Sequence, residues 1–292
     1  MGDYEWESYA DVYRKVVDVG LGLRAMGLKE KSILAIFSET CAEWSIMAQA
    51  SFSQNVTILT VYSNLGDDAL VYALNQAEVE YLFCTEAQIK QMVSLSSKLT
   101  HLKHVIFSGK VPDKSILKDV DVTFTSYNDV LEAGQKIKAK TLHKPSSEDI
   151  ACIMYTSGST GNPKGVVLTH GNVVGSIAGA LTTMTGVLDG PSDMYLSYLP
   201  LAHILAFVIQ SVALYKGCPV GFGNPRTLTD ENVRNCSGDI ITLKPTVFVG
   251  VPTVYEKIRK GVLRKVKSRG RTTMMIFNYC YYLKKTFKGW PI

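Results

Sequence analysis

The sequence predicts an α/β fold in which a mainly parallel sheet is flanked by helices. Short apolar runs rich in β-branched residues recur along the chain, and stretches with helical periodicity lie between them. Parallel neighbours need long crossover connections, so this alternation favours a mainly parallel sheet. The length of 292 residues allows one large domain or two modest ones, and 46% hydrophobic with 20% charged residues is typical of a globular protein.

The first half of the chain contains four predicted strands with helices between them. We expect strands at residues 33–37, 56–61, 81–84 and 104–107. We expect helices at residues 43–54, 66–76 and 86–99. The second of these helices has Asp67 and Asp68 near its positive N-terminal end, where carboxylates are favourable. Residues 129–149 are polar and are predicted to form a surface connection.

The alternation resumes after this connection. We expect strands at residues 150–155, 166–169, 196–199, 219–222 and 246–249, and a helix at residues 170–185. An uncharged run at residues 194–215 is long enough to raise the question of a membrane span. Because it contains Pro200, His203 and Gln210, we interpret it as a strand, a turn and a buried helix.

The last predicted helix, at residues 254–268, has one apolar stripe on an otherwise basic surface. The stripe repeats every four residues and consists of Val254, Ile258, Val262 and Val266. From Glu256 to Ile292 there are eleven lysine or arginine residues and one acidic residue, a net charge of +10. The whole chain carries +5, so the preceding residues carry −5. A solvated helix face and a surface that contacts a membrane both fit this pattern.

The cysteines and histidines indicate the compartment of the protein and the absence of a predicted metal site. The six cysteines are far apart and form no CxxC pair, which fits a reduced, intracellular compartment. No set of cysteine or carboxylate ligands accompanies the histidines, so we predict no metal site built from the chain alone. The basic segment contains no recognisable module that reads a nucleic-acid sequence, so we expect no nucleic-acid partner.

A run of small and hydroxylated residues, YTSGSTGNPKG at positions 155–165, follows one of the predicted strands. Ligands bind at the carboxyl ends of strands in open α/β sheets. Glycines let the backbone approach a ligand closely, and successive N–H groups can form a nest for an anion. The hydroxyl groups add donors, and Lys164 adds a positive charge that favours a phosphate. We therefore predict a phosphate-binding loop.

Three better-known loops do not fit this run. A Walker A loop has a glycine before its lysine and a serine or threonine after it, whereas Lys164 follows a proline and precedes a glycine. The glycine spacing differs from the dinucleotide-binding pattern G-x-G-x-x-G. The serines lack the flanking glycines of a nucleophile elbow, so none is a good candidate nucleophile. A flexible serine- and glycine-rich surface loop is the alternative.

The sequence YTSGSTGNPKGV at positions 155–166 resembles, throughout its length, the phosphate-binding signature of the adenylate-forming superfamily. More of the chain resembles one branch, the long-chain fatty acyl-CoA synthetases. Similar segments follow the order of that branch at residues 4–9, 22–27, 198–203, 228–230, 238–239, 243–245 and 250–252. The resemblance extends over nearly the whole chain and implies the large N-terminal domain of the adenylate-forming fold.

The resemblance implies a long-chain fatty acid–CoA ligase, which activates a fatty acid with ATP as acyl-AMP and transfers the acyl group to coenzyme A, usually with Mg²⁺. The residues that it implies for the β- and γ-phosphates are Thr156, Ser157, Gly158, Ser159, Thr160, Gly161 and Lys164. His203 would lie near the acyl and adenylate site as a catalytic residue. The alternative is that His203 only makes hydrogen bonds at the start of a helix and has no role in catalysis. Residues 204–214 would support an acyl tunnel or form an ordinary core helix.

Two positions depart from the pattern of this branch. Ala206 and Gln210 stand where the branch typically has glutamates, so two charges four residues apart are missing. Either the two changes compensate each other, or the site has degraded.

The resemblance also predicts motifs that we do not find before Ile292, namely those for adenine, ribose and metal and a C-terminal lid domain with a catalytic lysine. We therefore expect a truncated, incomplete AMP-binding domain with parts at residues 1–140, 141–255 and 256–292. The alternatives are a non-catalytic remnant that binds a nucleotide or a membrane surface, and a chain that does not fold stably alone.

The expected location follows from the same resemblance and from the basic segment. We expect an intracellular protein at the cytoplasmic face of the endoplasmic reticulum or of another lipid membrane. Peripheral contact would be made through residues 254–288, which combine basic and aromatic side chains.

Overall fold

The computed structural model describes residues 3–110, 114–117, 120–156 and 163–287. The chain divides into two compact units, Met1–Val247 and Phe248–Ile292. The first unit is an α/β domain, as predicted, and the described part of the second unit contains two helices. The division into parts at residues 140 and 255 stays a prediction.

A seven-stranded sheet forms the centre of the first unit. Its strands are β1 (Ile33–Phe37), β2 (Thr57–Thr60), β3 (Tyr81–Thr85), β4 (His104–Ser108), β5 (Thr123–Ser126), β6 (Ile150–Thr156) and β7 (Lys164–Thr169). They lie side by side in the order β5, β4, β3, β1, β2, β6, β7. All neighbours are parallel except β6 and β7, which form an antiparallel hairpin. The predicted mainly parallel sheet is thus confirmed.

Ten α-helices and a second, two-stranded sheet complete the elements of the residues that the structure describes. The helices are α1 (Tyr9–Ala25), α2 (Ala42–Ser53), α3 (Asp67–Gln76), α4 (Glu86–Leu95), α5 (Tyr127–Gln135), α6 (His170–Thr183), α7 (Ile204–Tyr215), α8 (Asp239–Leu243), α9 (Pro252–Ser268) and α10 (Arg271–Thr286). The second sheet pairs β8 (Tyr195–Ser197) with β9 (Val220–Phe222) in parallel. Short 3₁₀ turns lie at Ser96–Lys98 and Lys114–Leu117.

The core lies around the central parallel strands. Leu34, Ala35, Ile36 and Phe37 are all fully buried, as expected for a strand that is covered on both faces. This double burial explains why the strand appears in the sequence as a continuous apolar run and not as an alternating one. Residues 194–215 form β8, a connecting segment and α7, in agreement with our interpretation. None of the helices that the structure describes is long and apolar enough to cross a membrane.

Two predictions about the connections were wrong. Residues 129–149 are not a connection throughout, because α5 occupies Tyr127–Gln135. Its start is capped by Ser126, whose side chain accepts a hydrogen bond from the backbone N–H of Asp129. Residues 246–249 do not form a strand, since Val247 makes only a single bridge to Tyr195 of β8.

Candidate functional site

The predicted phosphate-binding loop connects the two strands of the β6–β7 hairpin. Thr156 and Lys164 are directly opposite each other in the antiparallel register, and both are exposed. The hydroxyl of Thr156 donates a hydrogen bond to the carbonyl oxygen of Lys164 at 3.4 Å. Two of the predicted phosphate-binding residues therefore form the stem of the loop. The other five, Ser157, Gly158, Ser159, Thr160 and Gly161, lie outside the described residues.

The stem lies at the carboxyl edge of the parallel part of the sheet. β6 pairs in parallel with β2, and β2 pairs in parallel with β1, so the carboxyl ends of the three strands meet at one edge. Thr156 is the last residue of β6. The loop thus begins at the edge where ligands bind in open α/β sheets.

Tyr155 anchors the hairpin to α3. Its side chain is buried, and its hydroxyl donates a hydrogen bond to Gln76 Oε1 at 2.8 Å. Burial raises the pKa of the Tyr155 phenol above its ordinary value, so the group remains a donor. Gly165 lies opposite Tyr155, and a Cβ at this position would come within 3.2 Å of the Tyr155 ring. The ring therefore packs against bare backbone, which explains why a glycine follows Lys164.

A cavity of about 540 Å³ lies beside the same stem. Its wall is formed by α3 and by the face of the hairpin that carries Tyr155 and Val167, and Lys164 lies at its border. The volume is within the range of small-molecule sites.

His203 is the N-cap residue of α7. Its Nδ1 accepts a hydrogen bond from the backbone N–H of Leu205 at 3.2 Å. Because Nδ1 acts as the acceptor, the proton of the neutral ring is on Nε2. The side chain is exposed, and the cap uses only Nδ1. The alternative interpretation, in which His203 only makes a hydrogen bond at the start of a helix, thus accounts for the role of Nδ1. The other ring nitrogen, Nε2, can still donate a hydrogen bond to a ligand.

The sheet brings His203 to the same edge as the loop stem. The carbonyl oxygen of Ala202, the residue before His203, accepts a hydrogen bond from the hydroxyl of Thr60 at 3.3 Å. Thr60 ends β2 and lies opposite Met154 of β6, two residues before Thr156. Residues that are far apart in the sequence therefore converge on one edge.

The two positions that depart from the resembled pattern face the interior. Ala206 and Gln210 are both buried, with exposures of 1% and 3%. Gln210 Oε1 accepts a hydrogen bond from Ser197 at 2.7 Å, and its Nε2 donates to Ser45 Oγ at 2.8 Å. The amide thus joins α7 to β8 and α2 with both of its polar ends engaged. This network could not be predicted from the sequence, because nothing in the local pattern brings Ser45 and Ser197 together.

The segment at residues 204–214 forms most of α7, which is largely a core helix. Seven residues of α7 are buried, and its exposed apolar side chains are Ile204 and Leu205 at the first turn and Tyr215 at the last residue. Burial of the middle of the helix favours the ordinary core interpretation, and a role beside an acyl chain is left to the exposed ends.

The described residues offer no dedicated metal site. They contain no group of three or more histidine, cysteine, aspartate or glutamate side chains that could hold a metal ion. Mg²⁺ is often held by one or two carboxylates together with the phosphates of a substrate.

Comparison with known proteins gives matches along nearly the whole chain. The family model described as AMP-binding enzyme matches residues 1–278. Long chain acyl-CoA synthetase 8 of Arabidopsis thaliana is 37% identical over 288 residues, which cover 96% of this chain and 40% of that protein. Long-chain-fatty-acid–CoA ligase 2 of Schizosaccharomyces pombe is 36% identical over 290 residues, with 98% and 42% covered. The chain spans about 40% of the length of these relatives.

Solved structures share the fold. The adenylation domain of a carboxylate reductase from Mycobacterium chelonae superposes with a TM-score of 0.78 at 14% identity, covering 97% of this chain and 45% of that one. An anthranilate CoA ligase in complex with anthranoyl-AMP superposes with a TM-score of 0.68 at 20% identity, covering 84% and 45%. At these identities the likeness shows the fold alone.

Proposed function

We propose that this chain, which belongs to the AMP-binding enzyme family, carries the phosphate-binding part of a long-chain-fatty-acid–CoA ligase. The single observation that supports this best is the stem of the loop, where Lys164 lies opposite Thr156 at the carboxyl edge of the sheet. The names of the relatives support the substrate class, since they are long-chain acyl-CoA synthetases and ligases.

In this proposal each group has a separate task. Lys164 and the loop from Thr156 to Gly161 bind the β- and γ-phosphates and stabilise the negative charge that develops on the departing pyrophosphate. His203 donates a hydrogen bond from Nε2 to an oxygen of the acyl or adenylate group. ATP supplies the adenylyl group, Mg²⁺ accompanies its phosphates, and coenzyme A supplies the thiol that accepts the acyl group.

ATP binding tests the role of Lys164 directly. We expect Lys164→Ala to weaken ATP binding by about tenfold or more, since a charge-assisted hydrogen bond contributes about 1.5–3 kcal/mol. Isothermal titration calorimetry measures the affinity, and Lys90→Ala on an exposed position of α4 is the control for the loss of one charge. Equal affinity of the wild type and Lys164→Ala would contradict the proposed loop.

Fatty-acid-dependent ATP–pyrophosphate exchange separates the ligase from its alternative. Exchange with palmitate by the 292-residue chain would support catalysis of the first half-reaction. ATP binding without exchange would favour the alternative, a non-catalytic nucleotide-binding remnant.

A second candidate function, contact with an anionic membrane surface, is supported by the second unit. α9 and α10 contain no buried residues. Aromatic and aliphatic side chains on α10 are exposed by 60% or more, namely Met275, Ile276, Tyr279, Tyr281 and Tyr282. Basic and exposed apolar residues together are typical of helices that lie on a lipid surface. We propose peripheral contact through residues 254–288 with the cytoplasmic face of the endoplasmic reticulum or of another membrane.

Flotation with vesicles tests this contact. We expect binding to phosphatidylcholine vesicles that contain phosphatidylserine, and weaker binding in high salt. Each basic residue near an anionic surface contributes about 1 kcal/mol, so Lys260→Glu with Lys267→Glu should reduce binding by more than about tenfold. Lys90→Glu with Lys98→Glu is the matched control in the first unit. Equal flotation of both double variants would contradict the contact.

A further inference from the structure

The segment between β8 and α7 is a short strap that ends at His203. It runs from Leu199 to His203, and its own backbone contributes one turn, in which the N–H of His203 donates to the carbonyl oxygen of Pro200 at 2.9 Å. α7 begins directly after it and accepts its first backbone hydrogen bond at His203 O, from Phe207 at 3.1 Å. The orientation of His203 therefore depends on what holds the strap.

Thr40 holds the strap through its hydroxyl, which acts both as a hydrogen-bond donor and as an acceptor. The hydroxyl donates to the carbonyl oxygen of Leu199 at 2.7 Å and accepts from the backbone N–H of Leu201 at 3.1 Å. Thr40 follows β1 by a few residues, so this contact joins the strap to the carboxyl end of that strand. Leu199 and Leu201 are buried, so the loss of the hydroxyl would leave two backbone groups unpaired away from water.

Thr60 holds the strap at the end of the neighbouring strand. It is fully buried, and its hydroxyl donates to the carbonyl oxygen of Ala202 at 3.3 Å. A buried hydroxyl needs a partner, and here the partner is the residue directly before His203. Thr40, just beyond the end of β1, and Thr60, at the end of β2, thus fix three residues of the strap, namely Leu199, Leu201 and Ala202.

We infer that Thr40 and Thr60 are positioning residues for His203, which fix its ring through the strap at the edge of the sheet where the β6–β7 loop begins. The relevance of this arrangement to catalysis rests on the proposed function of His203. The arrangement itself is measured without ATP or a fatty acid, so failure of the ligase proposal leaves its test intact.

The test is the tautomer of His203, observed by NMR of ¹⁵N-histidine-labelled protein. The chain has five histidines, and His203→Asn assigns the signals of interest. In the wild type we expect the pattern of a protonated Nε2 and an acceptor Nδ1. In Thr40→Val and in Thr60→Val we expect the two ring-nitrogen shifts to move toward each other, because the loosened strap weakens the hydrogen bond from Leu205 to Nδ1. Thr40→Ser and Thr60→Ser keep the hydroxyls and should restore the wild-type pattern.

Thr57→Val is the matched control, because Thr57 is a second buried threonine of β2, the strand that also contains Thr60. The hydroxyl of Thr57 donates a hydrogen bond to the carbonyl oxygen of Ile150 at 2.9 Å. We expect it to lower the thermal midpoint as Thr60→Val does, with the His203 shifts unchanged. Thr40→Val and Thr60→Val each remove a different tether, so either folded variant suffices. Unchanged His203 shifts in the valine variants, or equal changes in Thr57→Val, would overturn the inference.

Discussion

Gln210 illustrates at the residue scale how a departure from a family pattern is accommodated. The sequence predicts the loss of a charge on a helical face, whereas the structure shows a neutral amide held in the core between Ser197 and Ser45. An amide carries an acceptor and donors, so it can serve both serines without the cost of burying a charge. The network satisfies the amide at this position through Ser197 and Ser45, and neither of these hydrogen bonds involves Ala206.

Replacement of Gln210 by methionine tests this network. Gln210→Met keeps the length of the side chain but leaves both serine hydroxyls without this partner, so we expect a loss of about 2 kcal/mol in the free energy of unfolding. Urea denaturation measures the loss. Ser176→Ala, at an exposed serine that bonds only within α6, should change stability by less than about 0.5 kcal/mol. A variant as stable as the wild type would show that the network is dispensable.

Asp149 is expected to make stability depend on pH. The hydrogen bond from Lys31, followed by the backbone N–H of Ser146, lowers the pKa of its carboxyl below the ordinary value of 3.8. A lowered pKa in the folded state means that the stabilisation is present above about pH 4 and is lost as the pH falls below it. The salt bridge between Lys31 Nζ and Asp149 Oδ1 measures 2.9 Å.

We therefore expect Asp149→Asn to lose stability at pH 7 and to show a smaller further loss between pH 4 and pH 2 than the wild type. Denaturant unfolding at a series of pH values measures this difference. Asp121→Asn, at an exposed aspartate outside the helices and strands, is the control for the removal of one carboxylate. Parallel pH profiles for the wild type and Asp149→Asn would refute the assignment.

At the scale of elements, the close packing of α1 against α5 depends on two glycines. A Cβ at Gly22 would lie 2.0 Å from the carbonyl oxygen of Val130, and a Cβ at Gly134 would lie 1.7 Å from the carbonyl oxygen of Asp18. Such distances are impossible without movement of the backbone. The two helices therefore approach each other so closely at these two positions that neither glycine can be replaced by a larger residue in the same backbone arrangement.

Alanine at either glycine should separate these helices. We expect Gly22→Ala and Gly134→Ala each to destabilise the protein by about 1–3 kcal/mol or more through overpacking. Gly175→Ala is the control in an open position of α6, where nothing lies within 4 Å of the added Cβ. It should stabilise the protein by about 0.5–1 kcal/mol, because alanine is the better helix former. Thermal unfolding gives all three values, and equal effects would contradict the packing argument.

The strands of the central sheet could be predicted from the sequence more easily than α5 or the region around Val247. Strands such as β1 and β3 are continuous apolar runs because both of their faces are buried, and their predicted bounds differ from the observed bounds by at most one residue. α5 was missed although its buried residues Tyr127, Val130 and Gly134 recur at helical spacing, because the nine-residue helix directly precedes the polar stretch at residues 136–149. The region around Val247 resembles a strand in composition, but its neighbourhood provides only a single bridge to Tyr195.

At the scale of the whole molecule, β7 is an edge strand of the large sheet with apolar side chains on both faces. Val166 and Val167, which point to opposite faces, are exposed by 46% and 54%. Unpaired edges with exposed apolar residues are templates for pairing with another chain. The described part of the chain thus has a surface that favours self-association.

Introduction of a lysine into this edge should reduce self-association. We expect the wild type to associate as its concentration rises, and Val167→Lys to increase the apparent dissociation constant by about tenfold or more, because a charge on an edge strand opposes pairing. Sedimentation velocity measures the constant. Val174→Lys, at an exposed valine of α6 that has no strand edge to offer, is the control. Equal association of both variants would exclude the edge as the cause.

Local pattern alone was sufficient to predict the α/β class and most strand positions, and the phosphate-binding loop after the strand at residues 150–155 stays a prediction from the same kind of pattern. These features depend on burial of consecutive residues and on glycine and hydroxyl content, both of which are local properties. Only the tertiary structure decided that β6 and β7 pair so that Thr156 faces Lys164, that Thr40 and Thr60 carry the segment before His203 to the same edge, and that Gln210 joins three elements. These contacts connect residues that are up to 165 positions apart. Their partners are selected by strand order and hydrogen-bond geometry, which no single stretch of sequence contains.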